Sequence, residues 1–149
     1  MSLSSILTLE RTLCGAEGRS KKRVLETTCQ FICQDVLSLD SEDLCDKISA
    51  REQLGSTGLG HGIAIPHCRI DNCSSITGAL IKLEHPVDFD AIDGEAVDIL
   101  FVLIVPDEAH DEHLAVLATL AKLFSDLDFC QQLRDAKTSQ ELFQIAINA

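Results

Sequence analysis

Two histidines and an arginine, His67, His113 and Arg51, are of the residue types that take up and neutralise a small anionic group, and His67 lies in the most constrained stretch of the chain. Gly62-Ile63-Ala64-Ile65-Pro66-His67-Cys68 puts a histidine at the end of a short apolar strand. Pro66 fixes its own φ and biases Ile65 toward extended backbone, so the ring at 67 arrives with little conformational freedom. Upstream, Gly55-Ser56-Thr57-Gly58-Leu59-Gly60-His61-Gly62 is a loop with four glycines, which lets backbone N–H groups approach an anion closely. A histidine that carries a phosphoryl group needs a neutral ring nitrogen in line with the donor phosphorus. It also needs cations or N–H groups around the oxygens, and shelter from water. On this reading His67 is nucleophile and carrier, Arg51 neutralises the group, and Ser56, Thr57, Gly58, Gly60 and Gly62 form a phosphate loop. His113, early in a helix, has the dipole set against its own protonation and can donate an N–H to a phosphoryl oxygen.

Blander readings stand beside this one. A histidine after a proline is often a turn residue, Arg51 could be a solvated helix-end cation, and His113 a surface residue of an amphipathic helix. His61, His85 and His110 are read as non-catalytic, and Ser56 and Thr57 as loop residues satisfying their own backbone. His110-x-x-His113 with His61 or His67 could make a metal site. No H-E-x-x-H or carboxylate–histidine signature accompanies it, and neither metal nor cofactor is expected. A Cys68 nucleophile served by His67 fails because adjacent strand residues face opposite sides. Serine hydrolysis fails for want of G-x-S-x-G.

The elements that must position these residues alternate. Ser20 to Leu37 carries Leu25, Cys29, Ile32 and Val36 on one helical face, with Ser20 as N-cap. Asp40 precedes a second helix with an acidic first turn, Leu44 and Ile48 on its buried side and Arg51 near its C-terminal end. Ser75–Leu83 is strand-like. Val97–Val105 holds seven consecutive apolar residues, as a strand covered on both faces does. Pro106-Asp107-Glu108 stops that strand and opens a third helix with Leu114, Leu117, Ala121 and Phe124 on one stripe. Shorter helices follow near Leu127–Asp135 and from Thr138, where Thr138 and Glu141 form a capping box. Helices interleaved with strands predict a layered α/β sandwich.

A length of 149 residues, without repeat, low-complexity tract or linker, suits a single domain over 1–149. No apolar run approaches the roughly 20 residues of a membrane helix. The first residues lack a secretory pattern, so the expected compartment is the cytoplasm, without membrane insertion. Seven cysteines without C-x-x-C spacing are read as reduced, Cys29 and Cys33 as small core residues. A net charge of −12 argues against nucleic acid as a ligand and requires any phosphate site to be local.

The segment from Arg51 to His67, Arg-Glu-Gln-Leu-Gly-Ser-Thr-Gly-Leu-Gly-His-Gly-Ile-Ala-Ile-Pro-His, closely resembles the active-site signature of fructose/mannitol-type IIA domains of the bacterial phosphoenolpyruvate-dependent phosphotransferase system. Glu112-His113-Leu114 with Leu117-Ala118, Leu120-Ala121 and Phe124 resembles a second block. Pro86-Val87-Asp88-Phe89-Asp90 with Asp93-Gly94 also fits. The chain departs from the usual pattern in having His61 where Asn is common and Cys68 where Gly is common. The resemblance implies a mixed β-sheet with helices on both faces, His67 as the phosphorylated histidine, and Arg51 and His113 as neighbours lining its site. The Gly-Ile-Ala-Ile-Pro-His form in a free-standing chain looks most like the nitrogen-regulatory branch of the family. That branch implies phosphoryl transfer from a histidine-containing phosphocarrier, with regulatory protein partners that respond to the phosphorylation state. The alternative is a stand-alone sugar-transport IIA component that hands phosphate to a IIB domain.

Overall fold

The structure, a computed structural model, describes residues 2–149, except that the side chain of His110 lies outside the described residues, and with it the reading of that side chain. The sheet is built around its most apolar segment. β6 (Val97–Pro106) alternates so that Leu100, Val102 and Ile104 enter one hydrophobic core while Ile99, Phe101, Leu103 and Val105 enter another. A strand buried on both faces has to be apolar throughout, which accounts for the seven-residue run. β5 (Thr77–Val87) pairs antiparallel with one edge of β6, and β1 (Thr12–Ala16) runs parallel outside β5.

The other edge of β6 is shared. β3 (Ile63–Ala64) pairs parallel with it at Ile99–Leu100, and β4 (His67–Ile70) pairs parallel with it from Leu103 to Pro106. β2 (Gly58–Gly60) closes that side as an antiparallel partner of β3. α1 (Lys21–Asp35) and α2 (Ser41–Leu54) contribute Leu25, Cys29, Ile32, Leu44 and Ile48 to the first core. α3 (His110–Phe124), α4 (Leu127–Asp135) and α5 (Ser139–Ile147) cover the opposite face with Leu120, Phe124, Leu133 and Leu142. The expected mixed sheet with helices on both faces is what the chain forms.

The helix starts are where the capping residues put them. Ser20 accepts the Arg23 N–H, and Asp40 accepts the Asp43 N–H. Thr138 accepts the Glu141 N–H, but the Glu141 carboxylate takes the N–H of Lys137 rather than that of Thr138, so the box is displaced by one residue. Three expectations need correction. His67 does not end a strand; it begins β4. Pro66 has no N–H to continue a ladder, and the Ile65 N–H turns away from β6 to the Thr57 carbonyl at 3.0 Å. The strand read over Ser75–Leu83 begins at Thr77 and continues to Val87, because a register shift between Lys82 and Val87 lets the extended chain pass the exposed Glu84-His85-Pro86. The buried stripe of α3 is His113, Val116, Leu120 and Phe124. Leu114 is 65% exposed and Ala121 is also exposed, so the helix is turned by about one residue from the expected phase.

Candidate phosphoryl-transfer site

His67 is the first residue of β4, just past the break between β3 and β4. It shares strand parity with Ile63 and Ile65, which belong to the core under α3. Cys68 and Ile70 belong to the core under α1 and α2. His67 and Cys68 thus face opposite layers, as the alternation of a strand requires. The Cys68 thiol is buried, and burial pushes it up to about 12, so it is inert as a nucleophile.

The ring of His67 is held by its own backbone. Nδ1 is 2.7 Å from the Ile65 carbonyl oxygen, which can only accept, so Nδ1 carries the proton and Nε2 keeps its lone pair. Burial, with the residue only 9% exposed, pushes the imidazole below its ordinary value. The Ile65 carbonyl opposes that shift, the Arg51 charge adds to it, and the Glu52 charge opposes it. The result is a neutral nucleophilic nitrogen near pH 7.

The structure brings His113 to this ring. The two imidazoles meet edge to face, 5.4 Å between centroids at 73°. His113 is 7% exposed in the first turn of α3, as its position in the sequence indicated. Its tautomer is set by a residue that sequence reasoning missed: Arg69 donates Nε–H to His113 Nδ1 at 3.2 Å. Arginine does not accept, so the His113 proton is on Nε2, the arrangement an N–H donor to a phosphoryl oxygen needs. A signal for Arg69 existed, since it lies two residues beyond His67 on the same side of a strand.

Arg51 occupies the last turn of α2. It donates Nη1–H to the Gly55 carbonyl at 2.9 Å, and its charge reaches His67. The phosphate-loop residues are bonded within the protein. Thr57 N–H donates to Glu52, Gly58 N–H to the Ser56 hydroxyl, and His61 N–H to Asp93, while Ser56 donates its hydroxyl to the Phe89 carbonyl. Gly60 and Gly62 take positive φ, +93° and +83°, at the turn between β2 and β3. His61, at φ +55°, is exposed there. A groove of about 1080 Å³ runs between α1 and α2, lined in part by Lys21 and Glu52. Among the described residues, no group of three or more His, Cys, Asp or Glu side chains is placed to hold a metal ion.

With the geometry established, residues 5–149 match the family model described as phosphoenolpyruvate-dependent sugar phosphotransferase system, EIIA 2. The chain belongs to this family. The nitrogen regulatory protein of Pseudomonas aeruginosa is 45% identical over 146 residues, covering 98% of this chain and 95% of the relative. That of Escherichia coli K12 is 40% identical, covering 97% and 89%. The crystal structure of nitrogen regulatory protein IIA-Ntr from Neisseria meningitidis superimposes with a TM-score of 0.90 at 40% identity, over 97% of this chain and 98% of that one. IIA mannitol of Escherichia coli shares the fold at a TM-score of 0.78, with 17% identity over 94% of this chain and 98% of that one. This IIA chain therefore has the fold of both branches and the sequence likeness of the nitrogen-regulatory relatives.

Proposed function

We propose that the protein is a phosphoryl carrier of the nitrogen-related phosphotransferase system, charged on His67 by a histidine-containing phosphocarrier and acting on regulatory partner proteins according to its phosphorylation state. The observation that carries this reading is the Nδ1–H bond from His67 to the Ile65 carbonyl, which leaves Nε2 as the nucleophile beside His113 and Arg51.

In the transfer, the Nε2 lone pair attacks the phosphorus of the donor phosphohistidine. The donor P–N bond breaks, and its electron pair returns to the donor imidazole. The Nδ1 proton stays on His67, where the Ile65 carbonyl stabilises the positive charge that the ring acquires. Arg51 and the His113 Nε2–H meet the phosphoryl oxygens, and burial excludes the water that would hydrolyse the product. Of the phosphate-loop residues Ser56, Thr57, Gly58, Gly60 and Gly62, the N–H groups of Thr57 and Gly58 are already bonded to Glu52 and Ser56, so any backbone N–H donation to this group falls to the others.

Phosphorylation puts a phosphoryl group of roughly two negative charges on a ring that becomes cationic, a net gain of about one negative charge beside an already acidic surface. A regulatory partner that buries apolar area against the exposed Leu54, Leu59 and Leu114 would meet that charge directly and prefer the unphosphorylated form. Under this reading the protein works in the cytoplasm. No described helix is long and apolar enough to cross a membrane. Passing phosphate to a sugar-transport IIB domain is the other use of the same chemistry. The higher identity to nitrogen regulatory relatives favours the regulatory use.

The test is intact-mass measurement after incubation with a phosphorylated histidine phosphocarrier. One phosphoryl group is expected on the wild type and none on His67→Ala. Equal labelling of the two overturns the proposal.

A further inference from the structure

One buried charge is not used by the chemistry above. The Glu52 side chain is 4% exposed, ion-paired with Lys21 Nζ at 2.7 Å, and accepts both the N–H of Thr57 at 3.2 Å and its hydroxyl. Lys21 is itself held, donating to the Phe89 carbonyl at 3.3 Å and lying over the Phe89 ring. A carboxylate taken out of water is tolerated only when it is paired and its remaining lone pairs are hydrogen-bonded, and Glu52 meets both conditions. Such a pair seldom adds stability over a well-packed apolar one, so its presence asks for another reason. Its placement supplies one. Of the seven buried polar or charged side chains among the described residues, Glu52, Thr57, His67 and His113 gather at the site, and the other three are threonines.

From the Glu52 side chain the bonds lead through Thr57 to His67. The Thr57 carbonyl accepts the Ile65 N–H at 3.0 Å, and the Ile65 carbonyl accepts the His67 Nδ1–H at 2.7 Å. The fold of the strand does not depend on this chain, because Ile63, Ala64 and Pro66 are bonded to β6 independently. What the chain fixes is the position of the Ile65 carbonyl, and with it the tautomer of the nucleophile.

We propose that Glu52, held by Lys21, is a positioning residue for phosphoryl transfer: through Thr57 and Ile65 it keeps His67 in its Nδ1–H form. This rests on His67 being the phosphoryl acceptor. The test follows single-turnover transfer from a phosphorylated histidine phosphocarrier to the full chain at rising donor concentration, together with nitrogen-15 NMR of the His67 ring. For Glu52→Gln the limiting rate should fall about tenfold to a hundredfold, as small misplacements of reacting groups do. The half-saturating donor concentration should stay close to that of the wild type. The ring should become a mixture of Nδ1–H and Nε2–H forms, and Lys21→Arg should keep most of the rate. If Glu52→Gln does not fold, Lys21→Met/Glu52→Gln, which removes both charges together, takes its place with the same expectations. A wild-type rate, or a slower rate with the ring still wholly Nδ1–H, overturns the positioning role. Labelling of His67→Ala would instead remove the reading on which it rests.

Discussion

The Nδ1 of His67 stands 2.7 Å from the carbonyl oxygen of Ile65, a residue two positions earlier on the same side of the chain. Pro66, between them, has no N–H of its own, and the contact puts the ring proton on Nδ1, leaving Nε2 its lone pair. Burial, a separate effect, ties the protonation of the ring to pH.

Burial holds the His67 ring below the ordinary imidazole range, with the Ile65 carbonyl opposing, Arg51 reinforcing and Glu52 opposing that shift. A depressed histidine pKa means that the unfolded chain binds the proton more readily. The ring therefore leaves stability unaffected above about pH 6.5 and lowers it progressively as pH falls from there through the folded value. NMR titration of the ring should give a midpoint below 6.5, and urea melts at pH 5 should show lower stability than at pH 7.5 once His67→Gln is subtracted. A midpoint above 6.5 would contradict the burial argument.

Arg69 fixes the His113 ring with its proton on Nε2. His113→Ala should slow transfer on the order of a hundredfold, the usual cost of losing one donor to developing charge. Arg69→Met should slow it by less, with the His113 ring passing to a mixture of tautomers in NMR. A greater loss for Arg69→Met than for His113→Ala would mean that Arg69 itself contacts the phosphoryl group.

Gly62 has φ +83°, and a Cβ there would come within 2.5 Å of Arg134 Nη2 and 2.8 Å of Asp98 Oδ1. Those two side chains form the ion pair that receives the β2–β3 turn, with Arg134 also donating to the His61 carbonyl. Gly62→Ala should cost about 1–3 kcal/mol from backbone strain and displacement of the pair. Urea unfolding of the variant measures it; an unchanged midpoint would show that the turn relaxes freely.

Much of this was legible because the signals are local. Ser20 and Asp40 cap the helices that their spacing suggested, and the apolar run in β6 announced a strand with cores on both sides. His67 could be singled out because Pro66 and the glycine loop act within a few residues of it. The partners of the site were less legible, since Lys21 meets Glu52 and Arg69 meets His113 only through the fold. Glu52 did leave a trace: an acidic residue in the last turn of a helix opposes the dipole and asks for a compensating partner. The phase of α3 was misread because the buried position belongs to a histidine, His113, and the adjacent Leu114 took its place in an apolar pattern.

The central claim is that His67 accepts the phosphoryl group on Nε2 while Nδ1 keeps its proton on the Ile65 carbonyl. Phosphorus–nitrogen correlation NMR of the protein charged by a phosphorylated histidine phosphocarrier reads this directly. The expected result is a single phosphohistidine at position 67, with phosphorus bonded to Nε2 and the Nδ1 proton still hydrogen-bonded. Phosphorus on Nδ1 of His67, or on His113 with His67 unmodified, would contradict it.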